Sequence, residues 1–272
     1  MNIYSCVDHE NIEKIFVLFY SIFRNSNNFT KLKFFIITDK IPECEVPEFL
    51  KNRLKIGILK FDEYWLNVLE KFNDNFYQKS IWCKSNLNFA RFFIFFLFPE
   101  LDRVIYLDWD MIVQEDIYSL FEYYNANSMI VSKLKNQNSV KKNIINENKT
   151  VPSSILLNIQ NKFKTNLMSE SFNSGFYIVS KDHFEINKID RLINSLISIQ
   201  IKSKPFKFGT QVVMNLLTND LIFIDYKWNT NIVAKDSKII HWCGKKKPWN
   251  TQDKIWYKYY DDFTRLNLNF KI

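Results

Sequence analysis

Two carboxylates two residues apart, Asp108 and Asp110, follow directly on the apolar run Arg103-Val-Ile-Tyr-Leu107. Oxygen ligands at that spacing suit a hard divalent cation such as Mg²⁺ or Mn²⁺, which can in turn bridge a diphosphate and neutralise it as a leaving group. Taken alone, an Asp-x-Asp is equally what a strand-ending turn with two solvated acids looks like. A second constellation shifts that balance: Ile239-Ile-His241-Trp-Cys-Gly244-Lys-Lys-Lys247-Pro248-Trp249. His241, one of three histidines, ends an apolar run, and imidazole suits Mn²⁺. Gly244 and Lys247, close behind it, are residue types that let backbone and ammonium approach phosphate.

Glycine scarcity sharpens the reading. Average usage would place roughly 19 glycines in such a chain. There are four, Gly57, Gly175, Gly209 and Gly244. A survivor in so glycine-poor a chain marks backbone that tolerates no side chain, through positive φ or close approach. Three of the four sit in polar constellations: Phe172-Asn173-Ser174-Gly175, Gly209-Thr210-Gln211 and His241-Trp-Cys-Gly244.

The elements that must position these residues follow from periodicity. Residues 2–7 read as a short buried strand, and Ile12, Ile15, Phe16, Phe19 and Phe23 are spaced for a helix behind it, with a second strand at 32–38. Strand, helix, strand is the start of a parallel-sheet, nucleotide-binding α/β half. A second helical stretch, a strand at 55–59, a long helix from about 85 to 97 and the strand 103–107 come next. That last strand stops at Asp108, and ligands in open α/β sheets bind beyond the carboxyl ends of strands. Residues 133–171 turn polar and Asn-rich around Pro152, predicting a long loop or lid with some short helix. Strands at 175–179, 221–224 and 238–241 and helices at about 188–201 and 211–217 complete an expected single Rossmann-like α/β domain over 1–272, a mostly parallel sheet flanked by helices.

Composition bounds the function classes. With 272 residues, 47% hydrophobic and 24% charged, the chain can bury a large core and is not compositionally disordered. A net charge of +8 suits an anionic partner. No basic block alternates with aromatics as a single-strand nucleic-acid groove would, so nucleic acid is not expected. Cys6, Cys44, Cys83 and Cys243 are widely spaced, which indicates neither a zinc site nor a disulfide framework, and a reducing, cytoplasmic setting is the expectation. The apolar segment 15–23 follows acidic residues rather than a basic start and does not read as a signal peptide, and the run 89–98 is too short to span a bilayer. The aromatic tail Trp256-Tyr-Lys-Tyr-Tyr260 and the basic charge together raise a peripheral membrane contact, against the plainer reading of a closing helix packed on the core.

Tyr106-Leu-Asp108-Trp-Asp110, Phe172-Asn173-Ser-Gly175 and His241-Trp-Cys-Gly244-Lys-Lys-Lys247-Pro248-Trp249, in that order and at these separations, resemble retaining glycosyltransferase family 8, the group of bacterial lipopolysaccharide galactosyl- and glucosyltransferases and glycogenin. The resemblance spans residues 3–249. It implies a GT-A fold that moves a hexose, galactose or glucose by preference, from a UDP-sugar to a hydroxyl of a glycan, glycolipid or glycoprotein with retention. It further implies that Asp108, Asp110 and His241 ligate Mn²⁺ or Mg²⁺, and that Gly244 and Lys247 touch the diphosphate. Cys6, Val7 and Asp8, at the end of the first strand, would meet the base. Arg91, Trp109, Asn173, Ser174 and Thr210 would line the donor. Gln211 would lie beneath the reacting sugar, its amide oxygen stabilising an oxocarbenium-like centre. An amide is a poor nucleophile, which disfavours a covalent intermediate there.

The chain departs from the family pattern in two places. Thr210-Gln211 stands where the family has Asp-Gln, removing a carboxylate that would bind sugar hydroxyls, and Val7-Asp8-His9-Glu10 lacks the usual Asp-Asn or Asp-x-Asn. Thr210 is the argument for a non-catalytic, glycan-binding or scaffold protein of the same fold. A sugar nucleotidyltransferase would want a glycine-rich loop after the first strand, and Ser5-Cys6-Val7-Asp8 has none.

Overall fold

The structure is a computed structural model, and it describes residues 1–41, 43–58, 87–136, 138–148, 151–198 and 209–269. Seven strands form one sheet in the order β3-β2-β1-β4-β7-β6-β8. They are β1 (Asn2–Cys6), β2 (Lys33–Thr38), β3 (Leu54–Ile58), β4 (Arg103–Leu107), β6 (Met129–Ser132), β7 (Phe176–Ser180) and β8 (Leu221–Ile224). All neighbours pair parallel except β7, which runs antiparallel between β4 and β6. This is the mostly parallel sheet the sequence predicts.

The strands read as near-continuous apolar runs because both sheet faces are covered. Alternate residues divide cleanly between two cores: Tyr4, Phe35, Val104, Tyr106, Tyr177 and Val179 belong to one, and Ile3, Phe34, Ile36, Ile105, Phe176 and Ile178 to the other. Helix α1 (Ile12–Asn25) covers the second face, burying Ile15, Phe16, Phe19 and Ile22.

Three expectations change. The helix expected at 85–97 is broken into α2 (Leu87–Ala90), a 3-10 turn (Arg91–Phe93) and α3 (Ile94–Leu97). The break coincides with the Arg91 carbonyl accepting from the buried Tyr4 hydroxyl at 3.0 Å, and with the Arg91 side chain turning toward the end of β4. Within 133–171 the chain forms two helices, α5 (Val140–Asn148) and α6 (Ser153–Phe163), α4 being the short Phe121–Tyr124. Val140, Ile144, Ile155 and Ile159 from α5 and α6 are buried in the first core, so this stretch is anchored rather than a free loop. Finally, β5 (Met111–Val113), which follows the two aspartates, and β6 were not foreseen.

The helices expected at 188–201 and 211–217 appear as α7 (Ile186–Ser198) and α8 (Thr210–Leu217). The start of the 85–97 helix, the ends of the 55–59 strand and the 188–201 helix, and Cys83 lie outside the described residues.

The aromatic tail lies in α10 (Lys254–Asn269), after the short α9 (Pro248–Thr251). Trp256 and Tyr259 are buried, and Trp256 packs edge-on to Trp242 and against Trp249. These two rings serve the core and are not available to a bilayer. No helix among the described residues is long and apolar enough to cross a membrane.

Candidate functional site

Two ladders converge on the end of β4. Asp108 extends the β4–β7 pairing by one residue, its N–H donating to the Gly175 carbonyl at 2.9 Å. The chain then turns through Trp109 and Asp110 into β5, which pairs antiparallel with β9 (Ile239–His241) so that Met111 faces His241. The Trp242 N–H closes this small sheet on the Asp110 carbonyl at 3.1 Å. Register alone therefore carries His241 across more than a hundred residues of sequence to the two aspartates.

One ligand atom each from Asp108, Asp110 and His241 lies within 4.8 Å of the others. His241 Nε2 is 3.6 Å from Asp108 Oδ2 and 3.4 Å from Asp110 Oδ1. Adjacent ligands of an octahedral Mg²⁺-sized ion are about 3 Å apart. The two His241–carboxylate separations are within about half an ångström of that spacing, while the three atoms together span up to 4.8 Å.

The surroundings divide the oxygens between two tasks. Asp108 Oδ1 accepts from the Tyr106 hydroxyl at 2.6 Å and from Arg91 Nη2 at 3.2 Å, leaving Oδ2 toward His241. Arg91 is 3% exposed, stacks over the Tyr106 ring at 4.3 Å and donates to the Ser174 carbonyl at 2.8 Å. Burial works against its charge, but Tyr106 and Asp108 more than offset this.

Asp110 is also buried, and its Oδ2 accepts from Lys247 Nζ, which donates in addition to the Trp242 carbonyl at 3.2 Å. Burial alone would raise the Asp110 pKa, yet His241 and Lys247 together hold it at about 2. A carboxyl with a depressed folded pKa contributes stability above its unfolded value of about 3.9 and loses it as pH falls toward the folded value. The stability gap between wild type and Asp110→Asn is therefore expected to be wide at pH 6 and to close between about pH 4 and pH 2. Thermal unfolding across that range checks it, and a gap independent of pH would remove the electrostatic account.

On the far side, His241 Nδ1 pairs with Asn229 Oδ1 at 2.8 Å, and Asn229 Nδ2 donates to the Asn173 side chain at 3.1 Å. Asn173 Nδ2 donates to Gln211 Oε1 at 3.1 Å. Gln211 sits in the first turn of α8, whose preceding residue is Gly209, and Asn215 Nδ2 holds the Gln211 carbonyl at 2.7 Å. Thr210 is buried at the start of the same helix.

The remaining expected donor residues are placed as follows. Cys6 and Val7 are buried at and just after the end of β1, where burial pushes the Cys6 thiol pKa up. Asp8 is half-buried just beyond and accepts from Asn11 Nδ2 at 2.5 Å. Asn11 also accepts from Lys14, whose ammonium lies 4.9 Å above the Trp249 ring. Trp109 and Trp249 stack with centroids 4.9 Å apart. Gly244 has φ 115°, a conformation that side chains rarely adopt, and Lys247 caps α9 with Pro248 at its first position.

Tyr106, Asn229, Asn215, Asn11 and Lys14 were not singled out for a role from sequence. Tyr106 precedes Asp108 by two residues in a strand, so it shares its face, a signal that was present. Nothing local marked Asn229 in a chain so rich in asparagine.

A sequence model described as glycosyl transferase family 8 matches residues 2–253. Probable galacturonosyltransferase-like 2 of Arabidopsis thaliana is 23% identical over 180 residues, 61% of this chain and 52% of that protein, so the match spans about half of that relative's length. Lipopolysaccharide 1,2-glucosyltransferase of Escherichia coli (strain K12) is 23% identical over 273 residues, covering 92% of this chain and 73% of that one. Among solved structures, the galactosyltransferase LgtC in complex with donor and acceptor sugar analogs superposes with a TM-score of 0.65 over 99% of this chain and 96% of its own, at 16% identity. That likeness establishes the shared GT-A fold.

Proposed function

Because the sequence match spans residues 2–253, the chain belongs to glycosyl transferase family 8, and on that premise we propose that it moves a hexose, galactose or glucose by preference, from a UDP-sugar to a hydroxyl of a glycan or glycoconjugate, with retention. The observation that carries the reading is the convergence of Asp108, Asp110 and His241 ligand atoms within 4.8 Å at the carboxyl end of β4.

Asp108 Oδ2, Asp110 Oδ1 and His241 Nε2 would hold Mn²⁺ or Mg²⁺. Bound there, the ion would act as a Lewis acid on the donor diphosphate. Gly244, free of a side chain at positive φ, would let the backbone approach a phosphate, with Lys247 as a second positive charge. Arg91 and Tyr106 hold Asp108 in one rotamer, so the site need not reorganise when the donor binds. Gln211, its oxygen turned toward Asn173, would present an amide dipole beneath the sugar. In the transfer the acceptor oxygen bonds to the anomeric carbon as the bond to UDP breaks. The electron pair leaves with UDP and the acceptor proton passes to a phosphate oxygen.

Incubation with Mn²⁺ or Mg²⁺ and a panel of nucleotide-sugars tests the proposal, with mass spectrometry of the sugar consumed and the anomeric configuration of the product. The panel should include UDP-galacturonate, since the uncharged Thr210 would set no like charge against a uronic carboxylate. Absence of hydrolysis or transfer with every donor would sink it. Thr210 also favours the second reading, a non-catalytic glycan binder, and glycan binding without metal-dependent UDP affinity in calorimetry would select that. A peripheral membrane contact retains only the +8 net charge in its support.

Lys247 pairs with Asp110 Oδ2, beside the Oδ1 that the cation would take, so metal and ammonium would compete for the charge of one carboxylate. Lys247→Met is expected to bind Mn²⁺ alone several-fold more tightly and UDP about tenfold more weakly than wild type, since an ammonium–phosphate contact is lost. Calorimetry reads both. Weaker binding of the metal alone would show that Lys247 supports the ligand carboxylate instead of competing for it.

A further inference from the structure

The polarity of the amide chain between His241 and Gln211 is decided by one backbone group. The Gly175 N–H donates to Asn173 Oδ1 at 2.9 Å. A peptide N–H can only donate, so the atom it meets must be the Asn173 oxygen. Asn173 therefore turns its nitrogen the other way, toward Gln211, whose side chain must answer with Oε1 at 3.1 Å.

On the opposite side, Asn229 faces two acceptors of Asn173, the backbone carbonyl at 3.2 Å and Oδ1 at 3.1 Å. It must meet them with Nδ2, which leaves Oδ1 for His241 Nδ1 at 2.8 Å. An oxygen there requires the hydrogen on Nδ1. Nε2, the atom aimed at Asp108 and Asp110, is then the nitrogen whose lone pair a cation can take.

We infer that Asn229, buried at 8% exposure, is a positioning residue that fixes the hydrogen of His241 on Nδ1 and, through Asn173, locks the orientation of the Gln211 amide to that of the metal ligand. It touches neither donor nor cation. Its side chain is the sole described link that satisfies a fixed donor requirement on one side and a fixed acceptor requirement on the other. An apolar residue of similar size would satisfy neither, and a carboxylate would satisfy the His241 side only, because it has no hydrogen to offer Asn173. The inference deepens the proposed function and rests on it for the identity of the metal site, but its first test does not need turnover.

The test uses the full chain labelled with ¹⁵N-histidine. Three histidines give few signals, and loss of one set in His241→Gln assigns His241. Long-range ¹H–¹⁵N spectra at about pH 8.5, where an ordinary histidine is neutral, should show Nδ1 protonated. An Nδ1 without hydrogen would overturn the inference on the wild-type protein, with no variant involved. Asn229→Leu is expected to lose the Nδ1 hydrogen in part and to bind Mg²⁺ about 10- to 100-fold more weakly, the range for removing a partner of a ligating histidine. Unchanged spectra and affinity in that variant would equally overturn it. Asn229→Asp should keep the Nδ1 hydrogen and most of the metal affinity while kcat stays depressed, because only the arm toward Gln211 is cut; full recovery of kcat in Asn229→Asp would refute the coupling to Gln211. A protein with Nδ1 protonated and metal bound that turns over no nucleotide-sugar would remove the proposed function and leave this inference standing.

Discussion

Asp110→Asn is expected to lower metal-dependent turnover about a thousandfold, or about 4 kcal/mol at the transition state. The substitution is close to isosteric, so the β5–β9 register and the Trp242 N–H bond to the Asp110 carbonyl are retained. What changes is charge. Asp110 is buried between His241 and Lys247, and its ionised carboxylate is favoured by the Lys247 ammonium and would be favoured by a bound cation. An asparagine offers the metal at most one neutral oxygen, and with that oxygen kept on the Lys247 ammonium its NH₂ group donates to the Nε2 lone pair of His241 that the metal needs. Stability should fall far less than activity, because Lys247 is partly exposed and can turn to water. Full activity in a folded Asp110→Asn protein, or an equal loss with and without metal, would show that the cluster is structural.

The acidic pair and the His241 segment were legible because their chemistry is local: residue type, spacing and an adjoining apolar run suffice to mark them. Their joining came only from the family resemblance, because physically it depends on β5 and β9 pairing at long range, and a three-residue apolar run such as Met111-Ile-Val113 gives no periodicity to read. The stretch 133–171 misled for a related reason. Val140 and Ile144, and Ile155 and Ile159, do repeat at four-residue intervals, but they are diluted by Asn and Lys, and tertiary burial rather than propensity makes those helices. The helix predicted at 85–97 failed at Arg91, where a buried guanidinium serves Asp108 and Ser174 and the regular turn gives way to a 3-10 segment. In the same way two of the amides that orient the site, Asn215 and Asn229, were hidden among the many asparagines of the chain, since only geometry separates a bridging amide from a solvated one; Asn173 was marked by its place beside Gly175.

Gly175→Ala is expected to lower the thermal midpoint by about 4–8 °C, corresponding to about 2 kcal/mol of overpacking in a chain of this size, and to weaken metal binding about 10- to 100-fold. Its backbone is not the constraint; the space beside it is. A Cβ built on Gly175 would lie 2.3 Å from His241 Cε1, 2.8 Å from Nδ1 and 2.9 Å from Asn173 Oδ1. The imidazole is held at 4% side-chain exposure by Asn229 and by the two aspartates, so it cannot swing aside without surrendering the bonds that aim Nε2. Nor can the glycine withdraw, because its carbonyl accepts from Asp108 N–H and its own N–H donates to Asn173. The methyl therefore disturbs the metal ligand and the amide chain together. A double variant separates the two effects: with His241→Ala the steric conflict with the ring disappears, so Gly175→Ala should cost much less stability in that background than in wild type, a coupling of the kind found between residues in contact. Additive losses in the double variant, measured by thermal unfolding, would mean that Gly175 is required for some reason other than the seat of His241.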